Sequence, residues 1–62
     1  MYVLTIECRE SEVEILSAEL WDSGATGIME ESGATERVRL RAWFEVVDGL
    51  VERFCAYAPV LA

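Results

Sequence analysis

Arg37-Val38-Arg39-Leu40-Arg41-Ala42-Trp43-Phe44 is the stretch on which the fold turns. Val38, Leu40, Ala42 and Phe44 alternate with Arg37, Arg39, Arg41 and Trp43. Successive side chains of a strand point to opposite faces, so unbroken alternation over eight residues predicts a half-buried strand. One face belongs to a core; the other carries three of the chain's five basic residues.

Working outward, Tyr2 to Arg9 alternates in the same way. Tyr2, Leu4, Ile6 and Cys8 share one face, and Val3, Thr5, Glu7 and Arg9 share the other. A second half-buried strand is predicted there. Ser11-Glu12-Val13-Glu14 has the spacing of a capping box, in which Ser11 and Glu14 satisfy each other's backbone N–H groups. Val13, Leu16, Ser17 and Leu20 follow at helical spacing, and Gly24 is the residue type that closes a helix in a left-handed conformation. A helix is therefore predicted from about Glu12 to Ser23. Ala25 to Glu31, centred on Ile28 and Met29, reads as a short strand weakened by Gly27. Ser32-Gly33-Ala34-Thr35 reads as a turn.

After the arginine-bearing strand, Val47, Leu50, Val51, Phe54 and Ala58 predict a second helix over about Glu45 to Ala58. Gly49 in its interior costs about 1 kcal/mol relative to alanine. Pro59 ends it, and Val60-Leu61-Ala62 receives no element. The order is strand–helix–strand–strand–helix. It predicts an α+β, ferredoxin-like (split βαβ) domain with two helices on one face of an antiparallel or mixed sheet. The crossover rule suggests that strand one runs parallel to strand three. The fourth strand of that plan is expected to be missing, which leaves strand one as an exposed edge.

With 62 residues the chain is one domain at most. It buries only about 60% of the surface its unfolded form exposes, so stability is marginal or partner-assisted. Its composition is 53% hydrophobic, too apolar for a disordered tail. No apolar run reaches the roughly 20 residues that cross a bilayer, and the start lacks signal-peptide features. Cytoplasmic residence is the default expectation. The net charge of −7 repels nucleic acid on average and attracts a basic protein.

Little in the inventory supports catalysis. Without histidine or lysine there is no Ser–His pair, Cys–His pair or Schiff base. Gly24 and Gly27 follow a helix and precede a strand, the wrong order for a phosphate-cradling loop. Glu30 and Glu31 are adjacent on a strand and face opposite ways, so they cannot flank one substrate atom. Cys8 and Cys55 allow a disulfide, a metal half-site or two buried thiols, and the last is the preferred reading; no histidine and no Cys-x-x-Cys pair completes a zinc site. No catalytic residue, cofactor-binding residue or metal ligand is assigned. The feature that asks for explanation is the row Arg37, Arg39 and Arg41. Its plain reading is a solvated sheet face paired with Glu7 and Glu31; its functional reading is a recognition surface. Met29 and Trp43 fall on the same outer face and add an apolar patch to it. Met29, Arg37, Arg39, Arg41 and Trp43 are therefore the candidate partner-binding surface. Trp21, late in the first helix, reads as a boundary residue, with an exposed docking aromatic as the alternative.

The run from Glu14 to Ile28 resembles the start of PrmA-type methyltransferases, which act on protein eleven of the large ribosomal subunit. The shared pattern is Leu-x-x-x-Gly-Ala-x-x-Ile, here Leu20, Gly24, Ala25 and Ile28. The second helix followed by Pro59-Val60-Leu61 also looks like that family's approach to its fourth strand. The resemblance implies an N-terminal ferredoxin-like domain that recognises the ribosomal protein. S-adenosylmethionine and the methyl transfer would belong to a separate Rossmann-like domain, none of whose motifs occurs here. The implied partner is a basic ribosomal protein, for which an acidic domain is suited. The alternative is a free-standing interaction or ligand-sensing module that self-associates, two copies pairing through the open edge of strand one.

Overall fold

A computed structural model describes residues 1–32 and 36–62. Strands β1 (Tyr2–Arg9), β2 (Gly27–Ser32), β3 (Arg37–Phe44) and β4 (Val60–Leu61) form one sheet in the order β2-β3-β1-β4. Helix α1 (Val13–Asp22) joins β1 to β2, and the single-turn helix α2 (Leu50–Arg53) lies between β3 and β4. Among the described residues the protein is thus α+β, with four antiparallel strands, one main helix and one short α-helical turn. The expected turn at Ser32–Thr35 falls mostly on residues 33–35, outside the described residues.

The alternating strands behave as their patterns require. Leu4, Ile6 and Cys8 of β1 and Val38, Leu40, Ala42 and Phe44 of β3 are buried. They pack beneath Leu16 and Leu20 of α1 and Leu50 and Phe54 of the α2 segment. Both helical segments therefore cover the same face of the sheet. Helix α1 spans nearly the predicted residues, and its end at Gly24 is as expected. Gly24 adopts φ 103°. Its N–H donates to the Trp21 carbonyl and that of Ala25 to the Leu20 carbonyl, both at 3.1 Å. This pair of bonds satisfies two carbonyls that the helix itself leaves open. Its start differs from prediction. A 3-10 turn over Glu10–Glu12 precedes the helix, and the Glu12 carboxylate accepts the Arg9 N–H at 3.0 Å in place of the Ser11–Glu14 box.

Several expectations are corrected. The pairing of β1 with β3 is antiparallel, not parallel. The crossover through α1 links β1 to β2, and β3 lies between those two strands, antiparallel to each. The second helix does not span residues 45–58. Gly49 takes φ 76°, a left-handed conformation incompatible with a helix interior, and Ala58 takes φ 50°. Only one α turn forms, anchored by Leu50 and Phe54, followed by a 3-10 turn over Cys55–Tyr57. Val51 and Ala58, expected to face inward, are exposed.

The shortened helical segment is what gives the fourth strand its length of chain. Beyond Pro59, Val60 and Leu61 lie opposite Thr5 and Leu4, and Val3 and Ala62 exchange N–H···O bonds of 2.9 and 3.0 Å. The fourth strand is present, and β1 is an interior strand over this stretch rather than an open edge. The proposed homodimer contact through β1 loses its basis there. Among the described residues the longest unpaired edge is that of β2. Cys8 is buried as expected, but Cys55 is exposed, because it lies on a 3-10 turn with its side chain outside the core. Among the described residues no helix is long and apolar enough to cross a membrane.

Candidate interaction surface

The sheet has a covered face and an outer face, and the outer face is built by strand alternation. Because β1 and β3 pair with Thr5 opposite Arg41, and β2 and β3 with Met29 opposite Arg41, outward residues fall into rows across the strands. One row is Gly27, Trp43 and Val3. The next is Met29, Arg41, Thr5 and Val60, the last supplied by β4. Then come Glu31, Arg39 and Glu7, and finally Arg37 and Arg9. The structure thus brings Met29, Arg37, Arg39, Arg41 and Trp43 onto one surface. It adds Val3, Val60 and Arg9, which were not among the candidate surface residues. The outward position of Val3 and Arg9 was legible from alternation. Their proximity to Trp43 and Arg37 required the register, and Val60 required β4.

The two ends of this face differ in chemistry. At one end Trp43 lies over Gly27, its Cε3 3.9 Å from where a glycine side chain would begin. With half-buried Val3 and exposed Met29 and Val60, it forms an apolar patch. At the other end are the arginines. Arg41 Nε is 3.1 Å from Glu31 Oε1, a diagonal pair rather than a directly opposed one. That oxygen is screened from water yet makes no well-aligned hydrogen bond. Both side chains are about 40% exposed, 40% and 41%, so the pair contributes at most about 1 kcal/mol.

Arg9 and Arg37 stand directly opposite each other. The Glu10 N–H donates to the Glu36 carbonyl at 3.1 Å, which makes that neighbouring register position hydrogen-bonded. By alternation Arg9 and Arg37 occupy a non-hydrogen-bonded position, where side chains come closest. Like charges so placed destabilise the sheet. Among the described residues no carboxylate lies within 4.0 Å of the guanidinium of Arg9, Arg37 or Arg39. Beside Arg9 a hollow of about 500 Å³ is lined by Arg9, Glu10, Ser11 and Glu36.

Charge is segregated between the two sides of the molecule. Four arginines (Arg9, Arg37, Arg39, Arg41) and two carboxylates (Glu7, Glu31) project from the outer sheet face, a formal +2. The remaining ten carboxylates and Arg53 give the rest of the molecule −9. A basic partner therefore does not match the arginine face in sign; its complement lies on the helix side. There, α1 exposes Ile15 (66%) and Trp21 (53%) among Glu14, Glu19 and Asp22. Trp21 is thus the exposed aromatic of the two readings. Asp22 holds Arg53 at 3.6 Å, tying the end of α1 to α2.

The perturbed titrating groups are structural. Burial pushes the Cys8 thiol up, and Glu12 and Glu30 add to the effect against Arg37. The Tyr57 phenol is also raised, by burial first and then by Glu12 and Glu19. Among the described residues no group of three or more Cys, Asp or Glu side chains is arranged to hold a metal ion. Comparison with protein-family models, curated proteins and solved structures gives no match to this chain.

Proposed function

We propose that the chain is a protein-binding domain whose acidic helix side receives a basic protein. The observation that carries this reading is that exposed Ile15 and Trp21 share α1 with exposed Glu14, Glu19 and Asp22. Exposed aromatic and aliphatic anchors supply contact energy, while the carboxylates steer a cationic partner and set its orientation. The domain is read as ferredoxin-like. The order β2-β3-β1-β4, the crossover through α1 and the placement of both helical segments on one face support that assignment.

The resemblance carried by Leu20, Gly24, Ala25 and Ile28 makes the partner more specific. On it, the domain recognises large-subunit ribosomal protein eleven for a methyltransferase whose S-adenosylmethionine site lies in a separate domain. On this reading the 62 residues bind the protein substrate, while cofactor and catalysis belong to the other domain. Titration with the purified ribosomal protein at low ionic strength is expected to give saturable binding that weakens with salt. Trp21→Ala should cost about 2 kcal/mol of that affinity. Absence of saturable binding at low salt would sink the reading.

A further inference from the structure

The arginine face is opposite in charge to the acidic helix side. We infer that the outer sheet face receives an extended acidic protein segment carrying one apolar anchor. Three observations converge on this occupant. First, the face is the positive side of a strongly negative molecule. Second, Arg9 and Arg37 are held directly opposite each other and Arg39 beside them, with no ion pair to relieve them among the described residues. An arriving carboxylate would remove a repulsion as well as add an attraction. Third, the apolar patch of Trp43, Met29 and Val3 sits on the same strands at the far end.

The spacing specifies the ligand. Residues two apart on a strand are roughly 6.8 Å apart. Arg39 and Arg37 thus lie about 14 and 20 Å from Trp43 along β3. An extended segment following β3 would set an apolar residue over Trp43 and Met29, then carboxylates four and six residues on. Arg41 is already engaged by Glu31, which leaves the intermediate position free of that demand.

Nucleic acid fits the same face less well. A single aromatic, Trp43, is available for base stacking, and Glu7 and Glu31 sit between the arginines where phosphates would pass. The aliphatic neighbours of Trp43 suit a side chain rather than a base. This contact uses the opposite side of the molecule from the basic-partner site, so each can fail without the other.

The experiment is a two-dimensional amide NMR titration of the 62-residue chain. The probe is a dodecapeptide with one leucine and glutamates four and six residues after it. Its controls are the same peptide with lysines and a single-stranded oligonucleotide. The acidic peptide should shift the Trp43 indole and the amides of Val3, Met29 and Arg39, and the lysine peptide should not. Arg37→Glu turns a repulsive pair with Arg9 into an attractive one, so it should melt no lower than the parent. It should nonetheless bind the acidic peptide about tenfold more weakly, the scale of one lost charge-assisted contact. Three results would overturn the inference. The acidic peptide could leave this face unmoved at low salt. The oligonucleotide could shift these signals while the peptide does not. Dilution of the chain alone could move them, marking the face as a contact between copies.

Discussion

Gly49→Ala tests the architecture after β3, because two arrangements of the same residues predict opposite signs. Were Gly49 inside a continuous helix, alanine would stabilise by about 1 kcal/mol. In the structure Gly49 has φ 76°, and a side chain built on it meets nothing within 4 Å. No clash contributes, so the effect is purely one of backbone conformation. An L-residue in the left-handed region costs roughly 1–2 kcal/mol. The loss of unfolded-state freedom on replacing glycine offsets about 0.4–1 kcal/mol of this. The expected net loss is about 1 kcal/mol. Against a total stability on the order of 3–9 kcal/mol for a chain of this length, that is easily measured. With a urea slope of about 1 kcal/mol/M, the midpoint should fall by about 1 M. Ala58→Gly provides the mirror test: at φ 50° it should raise the midpoint, whereas in a helix interior it would lower it. A rise on Gly49→Ala would refute the short-helix description and restore the long helix.

Three further outcomes follow from the packing. Phe54 is fully buried and anchors the segment between β3 and β4. Phe54→Ala should cost about 3–5 kcal/mol, a large share of the total stability; urea titration followed by circular dichroism would show it, and a loss under about 1 kcal/mol would contradict the packing. Cys8 and Tyr57 both titrate higher in the folded than in the unfolded state, so the unfolded chain releases its protons first as pH rises. Their stabilising effect is complete below the ordinary thiol value of 9.0 and is lost above it. Urea midpoints should decline as pH rises past 9.0, where the unfolded thiol titrates, and past 10.0, where the unfolded phenol does, and a flat or rising trend there would refute the assignment. In the same material a maleimide should label Cys55 without denaturant and Cys8 only with it.

Much of this was legible in the residues. Alternation in Tyr2–Arg9 and Arg37–Phe44 determined both central strands and their inward faces, because a period of two has one structural meaning when one face is apolar. Leu16, Leu20 and Gly24 likewise specified the long helix and its end. The outward direction of Arg37, Arg39, Arg41, Trp43 and Met29 came from the same rule. What local pattern did not hold was anything that depended on partners distant in the chain. Val47, Leu50, Val51, Phe54 and Ala58 carry a helical period, yet Gly49 and Ala58 adopt left-handed conformations that interrupt it. Leu50 and Phe54 still reach the core, so burial is served by one turn rather than four. That leaves chain enough for Val60 and Leu61 to reach β1, a pairing that two residues cannot signal by themselves. The sequence alone therefore determined which side chains the arginine strand turns toward solvent. Only the register of four strands decided that Arg9 confronts Arg37, that Val3 and Val60 join Trp43 and Met29, and that positive charge gathers on one face of a negative protein. Hydrophobic period acts locally, whereas charge is compared across strands.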